Sequence, residues 1–233
     1  QIAPEARVHD LGIANANVAG GTHVGALAGL NDRGIVRNCH STGNISGSVS
    51  TGGLIGYANG GTIADCYSTA TVSGGLNSGG LLGYIVDGAV IGCYSAGSVS
   101  GQDYVGGLVG DNSGNISNCY SDSPASGNNE VGGLVGVNSR DISRSYSTGT
   151  VSGNDLVGGL IGNSWGWVTN VGNCYSRSNV SGNSTVGGLI GNSGSAVVNC
   201  YSTGAISGNA NVGGLMGLND GQVTDSYWDV EAS

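Results

Sequence analysis

The six cysteines are the most reactive side chains of the chain, and all of them occupy one position of an internal repeat. Thiolates bind zinc or form disulfides, but zinc sites place cysteines in close pairs such as Cys-x-x-Cys, and this spacing is absent here. Adjacent pairs (39/66, 93/119 and 174/200) could form disulfides in an oxidising compartment. Buried free thiols that fill small apolar spaces are the alternative. No metal site is predicted. The candidate disulfide or thiol row comprises Cys39, Cys66, Cys93, Cys119, Cys174 and Cys200.

The other ionisable side chains do not predict catalysis. Hydrolysis of a glycosidic bond needs paired carboxylates, whereas the 15 acidic residues lie mostly in turns, without a dense group in any one repeat. His9, His23 and His40 all lie near the N-terminus, there is no Lys, and the metalloprotease sequence His-Glu-x-x-His is absent. We therefore expect no catalytic residue, no cofactor and no enzyme activity.

Aromatic side chains form two candidate contact sites. A Tyr follows most of the cysteine positions, and Tyr120, Tyr146 and Tyr175 are central members of this row. Stacked rings first stabilise a structure, and a solvent-facing row could also stack on sugar rings. Trp165 and Trp167 lie in an insertion, where exposed aromatics can bind carbohydrate. The alternative for both Trp residues is packing against the chain itself or against a neighbouring molecule.

An internal repeat positions all of these side chains. Its opening phrase, apolar-Gly-Gly-Leu or a close variant, recurs along the chain at a nearly constant period of about 27 residues. Val8 and Asn17 precede Ile35 and Asn44 by one such period, which adds an N-terminal half-coil. The phrase begins at Val24, Thr51, Ser78, Val105, Val131, Val157, Val186 and Val212.

The repeat predicts the fold. Each repeat holds three short apolar stretches separated by Gly, Asn, Asp and Ser, which favour turns, and no 3.6-residue period is present. We expect an all-β protein, a parallel β-solenoid with three short strands per 26–27-residue coil and about eight coils. It forms a single domain over 1–233, with a half-coil at 8–23, seven full repeats at 24–211, and the last coil with a C-terminal cap at 212–233.

Equivalent residues of stacked coils form rows. The Leu of each opening phrase, an Ile/Val row that includes Ile35, and the Val of each Val-Ser-Gly are predicted to form the core. The residue after each Leu is also apolar. Strict alternation would place one of these two rows outside as a lateral apolar face for self-association, whereas a local bulge would turn both inward. An Asn or Asp precedes most positions of the Cys row, and a second Asn row includes Asn31, Asn112, Asn138 and Asn219. Both rows are predicted to be structural ladders at turns. The first row comprises Asn38, Asp65, Asn118, Asn173, Asn199 and Asp225.

The Gly-Leu-apolar-Gly phrase, followed by "NCYSTG" (199–204 in one repeat) and "VSG", resembles the GLUG motif repeats of bacterial and some archaeal cell-surface proteins. The resemblance covers about 8–229. Such repeats occur in large adhesin-like proteins and beside the catalytic domains of IgA-specific metalloendopeptidases. The motif is specific for the repeat family but indicates little about activity, because a fold does not fix a function.

Charge and composition restrict the classes of molecule that this chain is expected to bind. The net charge of −9, without a basic cluster, argues against nucleic acid and anionic lipid. No apolar run approaches the ~18 residues of a membrane span. The sequence begins at Gln1, which we interpret as a processed product or a fragment.

We predict a non-catalytic extracellular or cell-surface structural protein. It would be a stalk, an adhesin segment or a filament subunit that assembles through the solenoid ends or a lateral apolar face. Its partners would be copies of itself or neighbouring domains of a larger surface protein. The alternative is a binding module for glycan or host protein that uses exposed aromatics. Asn-x-Ser/Thr sequences mark candidate glycosylation sites at Asn44, Asn115, Asn179 and Asn183.

Overall fold

The chain folds into a parallel β-solenoid, as predicted. The computed structural model describes residues 1–166 and 169–229, and this part of the chain contains strands and turns but no helix. Strands pair in parallel with the equivalent strands of neighbouring coils, for example Val105 with Val131 and Val157 with Val186. We number the coils 1 to 8 from the eight opening residues named above, and the strands of each coil contribute in turn to three sheets.

Sheet 1 holds the residues up to the Gly-Gly of the opening phrase. Its strands, eight within the described residues, are Thr22–Val24, Val49–Gly52, Leu76–Gly79, Asp103–Gly106, Asn129–Gly132, Asp155–Gly158, Ser184–Gly187 and Ala210–Gly213.

Sheet 2 begins at the residue after the Leu and ends before the Asn-Cys turn. Its strands in the described part of the chain are Arg7–His9, Ala28–Asp32, Ile35–Arg37, Ile55–Asn59, Thr62–Ala64, Leu82–Ile91, Val109–Ser117, Val135–Asn138, Ile142–Ser143, Ile161–Ser164, Asn170–Gly172, Ile190–Ser193, Ala196–Val198, Met216–Asn219 and Val223–Thr224.

Sheet 3 carries the Tyr-Ser and Val-Ser pairs. Its described strands are Gly12–Ala19, His40–Ser46, Tyr67–Ser68, Thr71–Ser73, Tyr94–Ser95, Val99–Ser100, Tyr120–Ser121, Ala125–Ser126, Tyr146–Ser147, Val151–Ser152, Tyr175–Ser176, Val180–Ser181, Tyr201–Ser202, Ile206–Ser207 and Tyr227–Trp228. Most coils therefore contribute four or five short strands to three sheets, because turns interrupt sheets 2 and 3.

The opening phrase does not form one strand, because it contains the corner between sheets 1 and 2. At this corner Leu108 and Val109 both point inward, and both are fully buried. The same holds for Leu134 and Val135. The corner explains the double apolar row, since strict alternation of side chains applies only along a continuous strand. The expectation of a lateral apolar face formed by one of these rows is therefore wrong.

The two glycines allow the corner to be this tight. A Cβ atom on Gly107 would collide with the carbonyl oxygen of Gly133 in the next coil, and one on Gly106 would collide with the carbonyl of Val109. Inside the corner, Ser95 donates a hydrogen bond of 2.6 Å to the carbonyl of Gly107. Equivalent Ser residues in other coils make the same bond, so sheet 3 is tied to the corner across the interior.

The Ile/Val row passes through Val36 in coil 1, not through Ile35. Val36, which is fully buried, pairs with Ile63, whereas Ile35 is half-buried and pairs with Thr62. Val8 accordingly pairs with Val36 rather than with Ile35. The prediction of Ile35 as a core residue is wrong, because it counts 27 residues forward from Val8, whereas Val8 pairs with Val36, which lies 27 residues before its partner Ile63.

The Asn and Asp residues before the cysteines adopt left-handed backbone. Their φ angles lie between 47° and 56°, and Arg144 at the equivalent position has φ 49°. Asn and Asp tolerate this conformation better than other side chains, because their short polar groups bond locally. Backbone conformation at the turn therefore explains this row.

The second Asn row is buried and forms hydrogen bonds from coil to coil. The Nδ2 group of Asn112 donates to Oδ1 of Asn138 over 2.8 Å, and Nδ2 of Asn138 donates to Ser164 Oγ over 3.1 Å. In coil 1, Asn31 instead closes a turn by bonding both backbone groups of Gly34. These amides satisfy buried polar groups, as expected for a structural ladder.

Among the described residues, no helix has the length and apolarity needed to cross a membrane.

Candidate functional site

The six cysteines are buried free thiols that bond the backbone between coils. The N–H of Cys66 donates to Sγ of Cys93 over 3.4 Å, and the Cys66 thiol donates to the carbonyl of Ala64 over 3.1 Å. Serine replaces the thiol at Ser145, where the N–H of Cys119 donates to Oγ over 3.1 Å. A small side chain that accepts one bond and donates another is needed here, and both Cys and Ser meet this need.

Hydrogen bonds between thiols, together with burial, make Cys93 and Cys174 poor nucleophiles. The pKa of Cys93 is raised well above its ordinary value by hydrogen bonding to the neighbouring thiols of Cys119 and Cys66 and by burial. The pKa of Cys174 is raised for the same reasons by its contact with Cys200. The reactive form of cysteine is the thiolate, which is disfavoured at these two positions. All six side chains are buried and contribute to the packing of the interior.

The tyrosine row forms a continuous stack on the outside of sheet 3. Between Tyr67 and Tyr201, neighbouring ring centroids lie 4.7–5.1 Å apart with interplanar angles of 2–7°. His40 extends the stack in coil 1, at 4.7 Å from Tyr67. Each internal ring has both faces covered by its neighbours. A ligand would therefore meet ring edges and hydroxyls at Tyr120, Tyr146 and Tyr175, and the faces that stack on sugars are occupied.

Trp165 lies on another side of the solenoid, at the outer surface of sheet 2. The residue is 63% exposed, and its backbone N–H donates to the carbonyl of Asn138 over 3.0 Å. Nearby, Thr169 donates through Oγ1 to the carbonyl of Gly166 over 2.7 Å and contacts Ser195 Oγ at 2.6 Å. Trp167 lies outside the described residues. The structure therefore separates Trp165 from the tyrosine row.

Trp165 stands between two depressions in this surface. One has a volume of about 250 Å³ and is lined by Tyr84, Tyr104, Asp111 and Val137 as well as Trp165. The other has a volume of about 480 Å³ and extends from Trp165 over Asn192 to Asp220 and Gln222. Together the two depressions form a groove that runs along the solenoid from coil 3 to coil 8.

Two rows of unlike residues border this groove, and we call them the variable rows. The first row directly precedes the opening phrase, and all of its members have φ between 50° and 58°: His23, Ser50, Asn77, Tyr104, Glu130, Leu156, Thr185 and Asn211. The second row consists of paired residues of sheet 2: Leu30, Tyr57, Tyr84, Asp111, Val137, Asn163, Asn192 and Leu218.

A glycine lies between the two variable rows, and because it has no side chain the rows can contact each other. A Cβ on Gly136 would lie 2.6 Å from the carbonyl carbon of Tyr104, and the equivalent glycines meet the equivalent residues in other coils. A residue of the first row therefore lies against the second-row residue of the next coil. His23 contacts the ring of Tyr57 in this way, with 4.8 Å between the ring centroids, and Glu130 accepts a 2.9 Å hydrogen bond from Asn163.

Asp111 is the most perturbed carboxyl group of the groove. Burial, and secondarily the charge of Glu130, raise its pKa from 3.8 to about 6. The pKa of Glu130 is also raised, chiefly by burial. The pKa of the Tyr104 hydroxyl is raised chiefly by the charge of Glu130. A partly buried acid in an aromatic-lined cleft is a physical signature of a functional site.

A chain of hydrogen bonds runs from Asn192, which lines the larger depression, through Asn163 to Glu130. Asn192 donates through Nδ2 to Oδ1 of Asn163 over 3.1 Å, and Asn163 donates in turn to Oε1 of Glu130. The groove therefore presents carboxylate, amide and aromatic groups in fixed positions along successive coils.

Sequence reasoning missed this groove. The carboxylates look dispersed because Asp111 and Glu130 lie at opposite ends of one repeat, yet folding brings them close enough for the charge of Glu130 to raise the pKa of Asp111. The signal available in the sequence was the regular period, which places equivalent residues of successive coils side by side. It pairs Asp103 with Asn129 and Asn129 with Asp155. Even so, no group of three or more His, Cys, Asp and Glu in the described ranges could hold a metal ion.

The four candidate glycosylation residues, Asn44, Asn115, Asn179 and Asn183, are all exposed. The side chains of two of them are engaged between coils. Asn179 accepts a 3.1 Å bond from the N–H of Ala205, and Asn183 accepts a 2.8 Å bond from Asn209. Modification at any of the four stays a prediction.

Comparison with known families identifies the repeat. The GLUG motif matches residues 20–46, 47–73 and 127–152, each of which spans one coil in length. Three stretches of the chain therefore carry the GLUG motif. The unmatched coils share the same corner and the same parallel register.

Comparison with whole proteins shows the fold alone. No curated protein matches the chain. A crystal structure of a candidate immunoglobulin A1 protease from Bacteroides ovatus, at 1.30 Å resolution, matches with a TM-score of 0.57 and 19% identity. The match covers 97% of this chain and 67% of that one. At this identity the likeness establishes a shared architecture.

Proposed function

We propose that this chain is a non-catalytic structural segment of an extracellular, cell-surface protein. The observation that carries the proposal is the unbroken parallel register of sheet 1, which pairs all eight coils from Thr22 to Gly213. Eight coils at about 4.8 Å each give a rod on the order of 40 Å long. Such a rod suits a stalk or an adhesin segment that holds other parts of a surface protein apart.

The histidines support a non-catalytic role. His40 is part of the ring stack and His23 contacts Tyr57. Nδ1 of His9 lies 2.9 Å from Oδ2 of Asp10 at the exposed N-terminal coil. All three lie outside the groove that holds Asp111, so no imidazole is available there as a general base.

We propose further that such rods stack end to end. In coil 8, residues at interior-row positions are exposed, such as Val223 at 42%, whereas Val197 below it is fully buried. A further coil of the same kind would cover this surface and pair with its strands. A second copy that supplies this coil makes a head-to-tail contact, which grows filaments because it does not close.

Electron microscopy of the purified chain over a concentration series tests the stacking. The expected result is uniform fibres with an axial repeat of about 40 Å that lengthen with concentration. Single rods at every concentration would contradict filament formation by this chain.

Enzyme assays test the non-catalytic role. Neutral oligosaccharides incubated with the chain are expected to keep their length, measured as the number of reducing ends. Release of reducing ends that the Asp111→Asn variant abolishes would contradict the proposal, since Asp111 has the raised pKa of a general acid.

A second candidate function is a binding module for glycan or host protein on the same rod. The exposure of Trp165, combined with its fixed backbone, favours this function. An exposed Trp contributes little to folding, whereas Trp is enriched at the energetic centres of binding surfaces.

A further inference from the structure

We propose that the groove between Tyr84 and Gln222 binds a neutral oligosaccharide that lies along the solenoid axis, with Trp165 as the central stacking platform. This proposal deepens the second proposed function and rests on it, and it names the surface and the class of ligand. The tyrosine row of sheet 3 has no part in it.

The position of Trp165 is the first argument. It separates two depressions that lie in line, so its ring is available to a ligand that continues on both sides. Its backbone bond to Asn138 holds it in place before a ligand arrives. A platform that is already ordered costs less entropy on binding.

The polar groups on both sides match sugar hydroxyls. Asp111 offers carboxylate oxygens on one side, and no hydrogen bond within the described part of the chain offsets the rise of its pKa. Asn192 and Gln222 offer amides on the other side. Hydroxyl groups both donate and accept, so they pair with carboxylates and with amides.

The charge of the groove selects against acidic saccharides. The charge of Glu130 affects both Asp111 and Tyr104, so the surface carries a local negative potential. A uronic or sialic acid placed here would be repelled by this negative potential, whereas a neutral sugar carries no charge and is not repelled.

The backbone selects against a peptide ligand. Extended peptides bind sheets through free backbone groups at an edge. In coils 3 to 6 the strands of sheet 2 pair on both sides, as Val109 does with Leu82 and Val135. The groove therefore recognises its ligand through side chains and ring faces, which is how proteins bind sugars rather than peptide backbones.

The spacing of the groups favours a chain over a single sugar. Asp111, Trp165 and Asn192 belong to coils 4, 6 and 7, so they are separated by about 10 Å and about 5 Å along the axis. One unit of an extended polysaccharide advances by a distance similar to one coil. A chain of roughly six units would therefore fill the groove from Tyr84 to Gln222.

An array of immobilised oligosaccharides tests the proposal with the full chain. It would carry neutral gluco-, manno-, galacto- and xylo-hexasaccharides beside uronic-acid and sialylated chains of the same length. The variants are Trp165→Ala and Asp111→Asn, and the control is Arg177→Ala, which removes an exposed side chain that stacks on Tyr175 at 5.2 Å on sheet 3. Circular dichroism verifies that each variant is folded.

The expected result is binding of at least one neutral hexasaccharide, weakened at least tenfold by Trp165→Ala and by Asp111→Asn but unchanged by Arg177→Ala. Absence of binding to every neutral chain at millimolar concentration would overturn the proposal. So would a preference for the acidic chains, or binding that Trp165→Ala leaves intact. Displacement of the sugar by a basic peptide of higher affinity would also overturn it.

The same samples separate this proposal from the rod on which it rests. Electron microscopy of the unmodified chain reports rods or fibres independently of any sugar. Rods without sugar binding would refute the oligosaccharide site alone, whereas a compact or disordered particle would refute the structural role as well.

Discussion

The tyrosine row on sheet 3 and the variable rows where sheets 1 and 2 meet both face outward, and both contain aromatic residues. In the tyrosine row nearly every coil carries the same residue, and the rings cover one another at 4.7–5.1 Å. In the variable rows the residue type changes along the solenoid, for example from Tyr84 to Asp111 to Val137, and the neighbouring Trp165 is 63% exposed. Identical residues stack well and stabilise a rod, whereas unlike residues create a surface that differs along its length.

Backbone conformation sharpens the contrast. The first variable row holds left-handed backbone, which Asn77 and Asn211 adopt readily, yet Tyr104 and Leu156 occupy the same conformation. Bulky side chains there cost about 1–2 kcal/mol each. The rod would be more stable with Asn or Gly in these places, so this row is not selected for stability alone.

The largest effect on stability is expected in the interior. Leu134→Ala should lower the free energy of unfolding by about 2–5 kcal/mol, because Leu134 is fully buried and neighbouring coils cannot collapse into the cavity. Urea denaturation measures this free energy. As a control, Arg140→Ala, at an exposed position, should change the free energy of unfolding by less than about 0.5 kcal/mol. Equal effects would show that the interior rows do not carry the stability.

Asp111→Asn should stabilise the chain in a manner that depends on pH. The folded-state pKa is about 6 and the ordinary value is 3.8, so the folded state binds more protons. The stability that this group contributes is therefore full below about pH 4 and is lost as pH rises through 6. The variant should be more stable than the unmodified chain at pH 8 by up to about 3 kcal/mol.

Thermal melts of both proteins from pH 4 to pH 8 measure this difference. The gap in melting temperature should close as the pH falls. A gap of constant size would mean that ionisation of Asp111 does not destabilise the groove.

Removing one ring from each surface compares the two regions directly. Tyr120→Ala should cost about 1–3 kcal/mol, because it ends two ring contacts. Tyr104→Asn should cost nothing or stabilise, because Asn suits the backbone at φ 58°. Chemical denaturation of the two variants measures both changes in stability. A larger loss of stability for Tyr104→Asn than for Tyr120→Ala would contradict the stabilising role of the tyrosine row.

The smallest effect is expected in the thiol row. Cys119→Ser should change stability by about 1 kcal/mol or less, because Ser145 makes the same bonds in the next coil. Denaturation under reducing and oxidising conditions should give the same result for the unmodified chain. A midpoint that falls on addition of reductant would show that the thiols form disulfides.

The repeat made the architecture predictable, since equal spacing requires equal coils. Position within a coil was harder to predict. Ile35 and Val36 are both apolar: a period of 27 residues counted forward from Val8 selects Ile35, whereas the same period counted back from Ile63 selects Val36. The inward turn of Leu108 and Val109 depends on a corner at Gly106 and Gly107, which periodicity along a strand does not reveal.

The groove was unpredictable for a related reason. Trp165 stood out in the sequence as part of an insertion. The other groove residues, such as Tyr84, Asp111 and Asn192, come from different coils and differ in type, so no motif connects them. In the sequence, unlike residues at one repeat position show no pattern, and their proximity becomes visible only when the coils are stacked.

The division between a stabilising surface and a recognising surface is tested most directly by measuring sugar binding and melting temperature on Tyr120→Ala and Trp165→Ala side by side. Our account predicts that Tyr120→Ala melts earlier and still binds the neutral hexasaccharide. Trp165→Ala should have the same melting temperature as the unmodified chain and should no longer bind the neutral hexasaccharide. If Trp165→Ala keeps the sugar, or if Tyr120→Ala loses it while folded, the two surfaces do not have the separate roles that the structure assigns to them.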